Sequence, residues 1–286
     1  MLATLATWLH KRPRVRLAAL LTAPVFWLVV AYLGSLGSLL LTAFFTIDTF
    51  TGDVIRKFNF GNFEELFTNP SYRNVVFRTL GIAISVTLIC TILATPMAFY
   101  MAKVATPRAQ KIFVALMLTP LWASYLVKIY AWRTMFEPGS GVIEWLFGSI
   151  GIHSPGFGLF SIVVGLSYLW LPYMILPIYA GLDRLPNSLI EASGDLGAGN
   201  FATFRKVVLP LLLPSVIAGS MFTFSLSLGD YITAQIIGGK FQMLGNVVYQ
   251  NFSLNLPFAA TISAVPIFIM GGYLWLIRKT GALSSL

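Results

Sequence analysis

Charge is scarce in this sequence, and that scarcity excludes a great deal. Only 10% of its 286 residues are Asp, Glu, Lys or Arg, against about 25% in a soluble domain. A water-facing globular domain does not fit, and the usual length prior of one domain per ~150 residues does not apply. Cysteine is nearly absent. Cys90 is the one present, so there is no internal disulfide, and its place in an apolar run reads as a small core residue. His10 and His153 are the two histidines. Both fall outside the apolar runs, which argues against a Ser–His site or a His metal cluster within a membrane. No Gly-x-x-x-x-Gly-Lys-Ser/Thr loop occurs, so ATP is not bound by that route and pump-like work needs a separate ATPase. The net charge of +9 comes without a basic run fit for a nucleic-acid groove.

What is present is apolar: 57% of the residues, arranged in long runs. They predict an all-α polytopic membrane protein with six transmembrane helices. The first run, 17–45, is too long for a signal-peptide core and reads as an uncleaved span. Gly34 and Gly37 in it would let another helix approach closely. Further spans are expected over 74–101, 112–132, 157–182, 211–234 and 258–277. Six spans place both termini on one side. Lys11, Arg12, Arg14, Arg16, Lys103, Arg108, Lys111, Arg184, Arg205, Lys206, Arg278 and Lys279 then fall inside, and the other seven of the 19 basic residues outside. This is the direction the positive-inside rule requires. Most of the acids fall on the outer side, which weakly favours a cationic solute. The expected organisation is an N-terminal cytoplasmic segment, first span and outer loop (1–73), a five-helix core (74–277) and a cytoplasmic tail (278–286).

The polar interruption 183–210 is too regular for a plain connector. Pro186 can open a helix, and Leu185, Leu189, Ala192 and Leu196 recur at helical spacing on one face. Gly194 and Gly197 stand at or near its end, where a left-handed residue is cheap. Asn200 can cap a second short helix, and Pro210 can start the next span. The product is a helix-turn-helix knob outside the bilayer, either a folded loop covering its own helix ends or a docking device.

Two groups of residues could touch a solute. Asp230 is an acid at the end of an apolar segment, where burial is costly and function is a fair suspicion. It reads either as a solute or gate carboxylate, or as an interfacial cap or partner of Lys128 or Arg133. Trp122, Tyr125, Trp170, Tyr173 and Tyr231 could line a path and hold ammonium groups by cation–π contact, or anchor the span ends at the interface. Gly229-Asp230 partly matches intramembrane aspartyl proteases, but Ser227 replaces the earlier Gly and no second intramembrane Asp exists to share a proton.

The spacing Glu191-Ala192, Gly197, Val207-x-Leu209-Pro210 resembles the EAA loop of ABC-importer permeases, with Ser193 where Ala is usual and Val207 where Ile is usual. Pro120-Leu-Trp-Ala-Ser-Tyr-Leu-Val-Lys-Ile-Tyr-Ala-Trp132, Trp170-Leu-Pro-Tyr-Met-Ile-Leu-Pro177, Leu228-Gly-Asp-Tyr231, Gly245-Asn-Val-Val248 and Phe258-Ala-Ala260 extend the resemblance to the polyamine (spermidine/putrescine) type. They resemble the first of its two paired permease subunits. The resemblance implies a type I importer permease fold and a translocation subunit that is not itself an enzyme. It implies a second permease, two ATPase subunits that hold the ATP and Mg, and an extracytoplasmic solute-binding protein. The chain itself would carry no cofactor and no metal. Leu189, Glu191, Ala192, Ser193, Asp195, Gly197, Leu209 and Pro210 would transmit motion from the ATPase. The setting would be a bacterial inner membrane with both termini cytoplasmic. The solute would be a polyamine or a related small amine, alternatively an amino-acid-like compound. An ion-coupled carrier working alone would need more buried charge and an inverted repeat, and neither is evident.

Overall fold

The computed structural model describes residues 13–48 and 51–279. His10, Lys11, Arg12 and the tail beyond Lys279 lie outside the described residues, as do the side chains of Arg14 and Arg16. Among the described residues five helices are long and apolar enough to cross a membrane, or six if one bent pair forms a single span. They are α1 (Leu20–Thr42), α3 (Pro70–Val104), α7 (Leu159–Arg184), α9 (Asn200–Leu228) and α12 (Leu256–Lys279); the bent pair is α4 (Pro107–Trp122) and α5 (Tyr125–Phe136). Short elements join them: a two-residue hairpin pairing Thr46 with Ile55 and Ile47 with Val54, α2 (Gly61–Thr68), α6 (Val142–Phe147), α8 (Asn187–Asp195), α10 (Ile232–Ile237) and α11 (Leu244–Phe252).

The helix starts follow from local chemistry. Asn69 accepts the Ser71 N–H at 3.0 Å ahead of Pro70, and Thr106 accepts the Ala109 N–H at 3.4 Å ahead of Pro107. A short polar cap satisfies an orphan donor, and proline at the first position removes another. Within the spans, Thr79, Thr87, Thr91 and Thr95 each donate to the carbonyl four residues back. A hydroxyl thus costs little where no water reaches it.

The core is centred on α7. Ile162, Leu166, Leu169, Ile175, Ile178 and Leu182 are buried against Val86, Cys90, Ala94 and Ala98 of α3 and Leu212 of α9. Cys90 is a small core residue, and its thiol lies 3.4 Å from the Ser167 carbonyl. The α9 backbone comes close to α7 at Gly219, where an added Cβ would stand 2.7 Å from Met174 Sδ and 3.2 Å from Met174 Cα. Small residues permit such approaches in membrane bundles. Gly37 is not used this way, since nothing lies within 4 Å of where its Cβ would be.

Three expectations need correction. The third span is not one helix over 112–132. It breaks after Trp122, where Ala123 is extended (φ −73°, ψ 140°), and α5 leaves at 93° to α4. Pro120 weakens the last turn by removing a donor, and packing of α5 on α7 and α10 holds the new direction. The fifth span is shifted: α9 begins at Asn200, ends at Leu228, and the chain breaks around Asp230 before α10. Pro210 therefore lies inside a continuous helix rather than opening it. The wide turn over Phe204–Val208 just before it makes room for a ring that cannot donate to the preceding turn.

Candidate functional site

Residues 183–210 fold into a separate knob at one end of the bundle. Pro186 precedes α8, as its fixed φ favours. Gly197 closes α8 at φ +79°, with its N–H on the Gly194 carbonyl (2.8 Å) and the Ala198 N–H on the Ser193 carbonyl (3.1 Å). A residue with a side chain is strained there. Asn200 does not cap the second helix. It is the first helical residue, and Gly199 stands before it without a side-chain cap.

The knob has a locked face and a free face. On the locked face, Ser193 is buried and its hydroxyl lies 2.9 Å from the Thr203 hydroxyl. Lys103 Nζ reaches the Leu185 carbonyl at 2.6 Å and Asn187 Oδ1 at 2.9 Å, and Gln110 donates to Asp183 at 3.3 Å. These contacts tie the knob to α3, α4 and the foot of α9. On the free face, Leu189, Glu191, Ala192 and Asp195 are exposed, with Leu196 89% and Phe201 76% exposed. The expected ridge is thus divided: Leu185 turns inward with Ile190, while Leu189, Ala192 and Leu196 face out. Phe201 was invisible as a ridge member because it belongs to the next helix. Leu209 is partly exposed, and it and Pro210 lie up the shaft of α9, away from the ridge.

At the opposite end of the bundle the expected path residues form two groups. Asp230, 7% exposed, accepts hydrogen bonds from the Tyr125 hydroxyl, the Thr233 N–H (3.0 Å) and the Thr233 hydroxyl (3.2 Å). It caps α10 and clasps it to α5. It pairs with neither Lys128 nor Arg133, and Arg133 lies 3.9 Å from Glu137 instead. Tyr125 stacks on Trp170 (6.1 Å between centroids), which meets Tyr173 edge-on (5.8 Å). Trp170 Nε1 is buried with no partner among the described residues. Tyr231 points elsewhere and stacks on Tyr249 (5.3 Å, 17°). Trp122, 89% exposed at the end of α4, joins neither group.

Two clefts flank Tyr249. One, of about 360 Å³, is apolar and runs along Leu228, Tyr231, Val248, Tyr249 and Phe252. The other, of about 200 Å³, is lined by Gln235, Phe241, Gln242, Asn246, Tyr249 and Gln250. Asn246 holds their shared wall, accepting the Met243 N–H (2.9 Å) and donating to the Tyr231 carbonyl (2.8 Å). The amide-bearing residues carry no periodic signal in the sequence, and Asn246 was marked only within the string 245–248.

The family of binding-protein-dependent transport system inner membrane components matches residues 17–278. The chain belongs to that family. This permease is 40% identical over 294 residues to the inner membrane ABC transporter permease protein YdcU of Escherichia coli, covering 96% of this chain and 92% of that one. It is 35% identical to the spermidine/putrescine transport system permease protein PotB of Haemophilus influenzae, covering 71% and 72%, and 30% identical to PotB of E. coli, covering 80% and 85%. A bacterial alginate ABC transporter, solved with a pentasaccharide-bound periplasmic protein, has a chain of the same fold (TM-score 0.77, 14% identity, 96% of each chain). A chain of the MetNI methionine ABC transporter does too (TM-score 0.55, 18% identity, 72% of this chain and 93% of that one). The permease is thus a multi-pass inner-membrane component of a binding-protein-dependent transport system.

Proposed function

We propose that this permease forms half of the translocation path of an ATP-driven, binding-protein-dependent importer of polyamines or related small amines. It does so by coupling through the 183–210 knob. The observation that carries the reading is the knob's two-sidedness. Ser193, Thr203 and Lys103 make it rigid with the spans, while Leu189, Leu196 and Phe201 offer a bare apolar ridge beside Glu191 and Asp195. Exposed apolar side chains on a polar knob have no lipid to face, so a protein groove is their natural cover. That groove belongs to the ATPase, which makes the knob end and both termini cytoplasmic. A second permease closes the path, two ATPases drive it, and an extracytoplasmic binding protein delivers the solute to the end that carries Asp230. The relatives named for spermidine and putrescine transport support the amine class.

The test is substrate-stimulated ATP hydrolysis by the purified complex in lipid, with its binding protein, over a panel of polyamines, amino acids and sugars. Stimulation by amines is expected. Glu191→Lys, or a bulky residue at Gly197, is expected to abolish it while the protein still inserts. Normal stimulation in both variants would remove the knob from the coupling path.

A further inference from the structure

The knob carries a hollow as well as a ridge. Between α8, the foot of α9 and the end of α3 lies a cleft of about 370 Å³, walled by Phe99, Ile190, Ala198, Phe204 and Val208. Gly194 and Asn200 also line it and are exposed, so its mouth opens to the outside of the knob. Its back is firm. Phe99 meets Phe204 edge-on at 6.1 Å between centroids, and Ile190 and Phe204 pack on the core. Thr203, the remaining lining residue, has its hydroxyl against that of Ser193. Among the described residues no charged side chain lines the cleft. One water needs only about 10–15 Å³, so the space suits a larger group, and its walls favour an apolar, uncharged one.

The hollow exists because side chains are missing around it. A Cβ at Gly194 would meet nothing within 4 Å, and the same holds at Gly197 and Gly199. Gly197 has a backbone reason, its φ of +79°. Gly194 has none: it lies within α8, one turn on from Ile190, and its φ is not positive. Alanine there would favour the helix and displace no atom. A residue that lowers stability without a structural return is expected where function sets the choice. The knob stands beyond the ends of the spans, so a lipid chain is not at hand to fill the space. The hollow also adjoins the ridge. Leu196 stands between Gly194 and Ala198 in the chain, and Phe201 between Asn200 and Thr203. A partner that covers the ridge therefore covers the mouth as well.

We propose that this cleft is a socket for one large apolar side chain (Phe, Leu or Met) of the ATPase partner. The joint then interlocks in both directions. Leu196 and Phe201 enter a groove of the partner, and a side chain of the partner enters between α8 and the foot of α9. This rests on the coupling reading above and adds the chemistry of the partner's surface. A ridge in a groove transmits a push, and a filled socket lets the partner pull as well.

The test fills the socket and leaves Leu196 and Phe201 in place. Gly194→Ala and Gly194→Leu are compared with wild type in the complete complex in lipid, with its binding protein. Both are expected to insert and to melt at or above the wild-type temperature. Gly194→Leu is expected to lower solute-stimulated ATP hydrolysis about tenfold or more, and Gly194→Ala much less. A second measurement identifies the occupant. Asn200→Cys, at the mouth, is labelled with a benzophenone maleimide, to which the fully buried Cys90 is closed. The complex is then irradiated and the crosslinks are mapped by mass spectrometry. A crosslink to an apolar residue of the ATPase is expected. Crosslinks confined to lipid, to the second permease or to this chain would overturn the socket, and so would undiminished stimulation in Gly194→Leu. Should Gly194→Leu fail to insert, the labelling alone decides. Undiminished stimulation in Gly194→Leu but not in Leu196→Asp removes the socket and leaves the coupling knob standing. Undiminished stimulation in both removes the coupling reading itself.

Discussion

Ser193 carries a hydroxyl in a place that Thr203 alone makes comfortable. Both are buried, and each hydroxyl is the other's close partner at 2.9 Å. Removing one leaves a buried polar group unsatisfied, which costs about 1–3 kcal/mol, whereas removing both can be nearly neutral. Ser193→Ala and Thr203→Ala are each expected to lower the melting temperature of the purified permease. The double variant is expected to recover most of the loss. A double variant that adds the two losses would mean the hydroxyls act separately. Glu144 offers a second residue-scale case. It accepts the Ser154 N–H at 3.0 Å and lies 2.7 Å from His153 Nδ1, closing the loop between α5 and α7. The Ser154 N–H and then the His153 ring hold its carboxyl below the usual carboxylate range. A lowered folded pKa contributes stability above the unfolded value of about 4.3, and that contribution is lost as pH falls through the folded value. Hydrogen exchange over 142–154, corrected for intrinsic rate, is expected to quicken as pH drops below about 4.3. Glu144→Gln is expected to show quick exchange at every pH. A wild-type loop equally protected at low pH would leave the carboxylate without a role.

The third span shows what element-scale reading of a sequence captures and what it does not. Its apolar length was legible, and so was Pro120. The break was not, because it lies at Ala123, and just beyond it a hydroxyl–carboxylate contact joins Tyr125 to Asp230, residues 105 apart in sequence. Hydropathy counts apolar residues along the chain and has no access to such a pairing. The 183–210 knob was legible for the opposite reason: its helix start, its left-handed Gly197 and its ridge are set by neighbours in sequence. Asn200, Pro210 and the division of the ridge were misread because the foot of α9 continues through a wide turn that tertiary packing maintains. The amide-lined cleft could not be read at all, since its walls, from Gln235 to Gln250, meet only once α10, the loop after it and α11 are folded together. If the Tyr125–Asp230 contact holds the bend, Tyr125→Phe removes a charged hydrogen bond of about 1.5–3 kcal/mol. The expected result is a lower melting temperature and faster hydrogen exchange in both α5 and α10. Exchange that quickens in α5 alone would mean that the packing on α7, rather than the clasp, carries α10.

At the scale of the whole molecule the two ends are joined by one helix. Helix α9 rises from Asn200 beside the knob to Leu228 beside the Asp230 clasp, a rod of about 43 Å at 1.5 Å per residue. The knob is fixed to its foot through Ser193 and Thr203, and its head carries α10, whose Gln235 lines the far cleft. If the ridge is gripped, a displacement of the knob reaches the clefts as tilt of this packed rod, which meets α7 closely at Ser215 against Gly181 and at Gly219 against Met174. Such a lever works only if something grips the ridge. Leu196 is the cleanest place to cut the grip, because at 89% exposure it contributes almost nothing to the fold of the chain itself. Leu196→Asp is expected to leave insertion and melting temperature unchanged and to lower substrate-stimulated ATP hydrolysis at least about tenfold, the cost of placing a charge in an apolar groove. Phe201→Ala is expected to act in the same direction more weakly, since it removes contact without adding charge. A Leu196→Asp complex that still answers its solute at the wild-type rate would place the grip elsewhere on the free face, with Glu191 and Asp195 as the residues to reverse next.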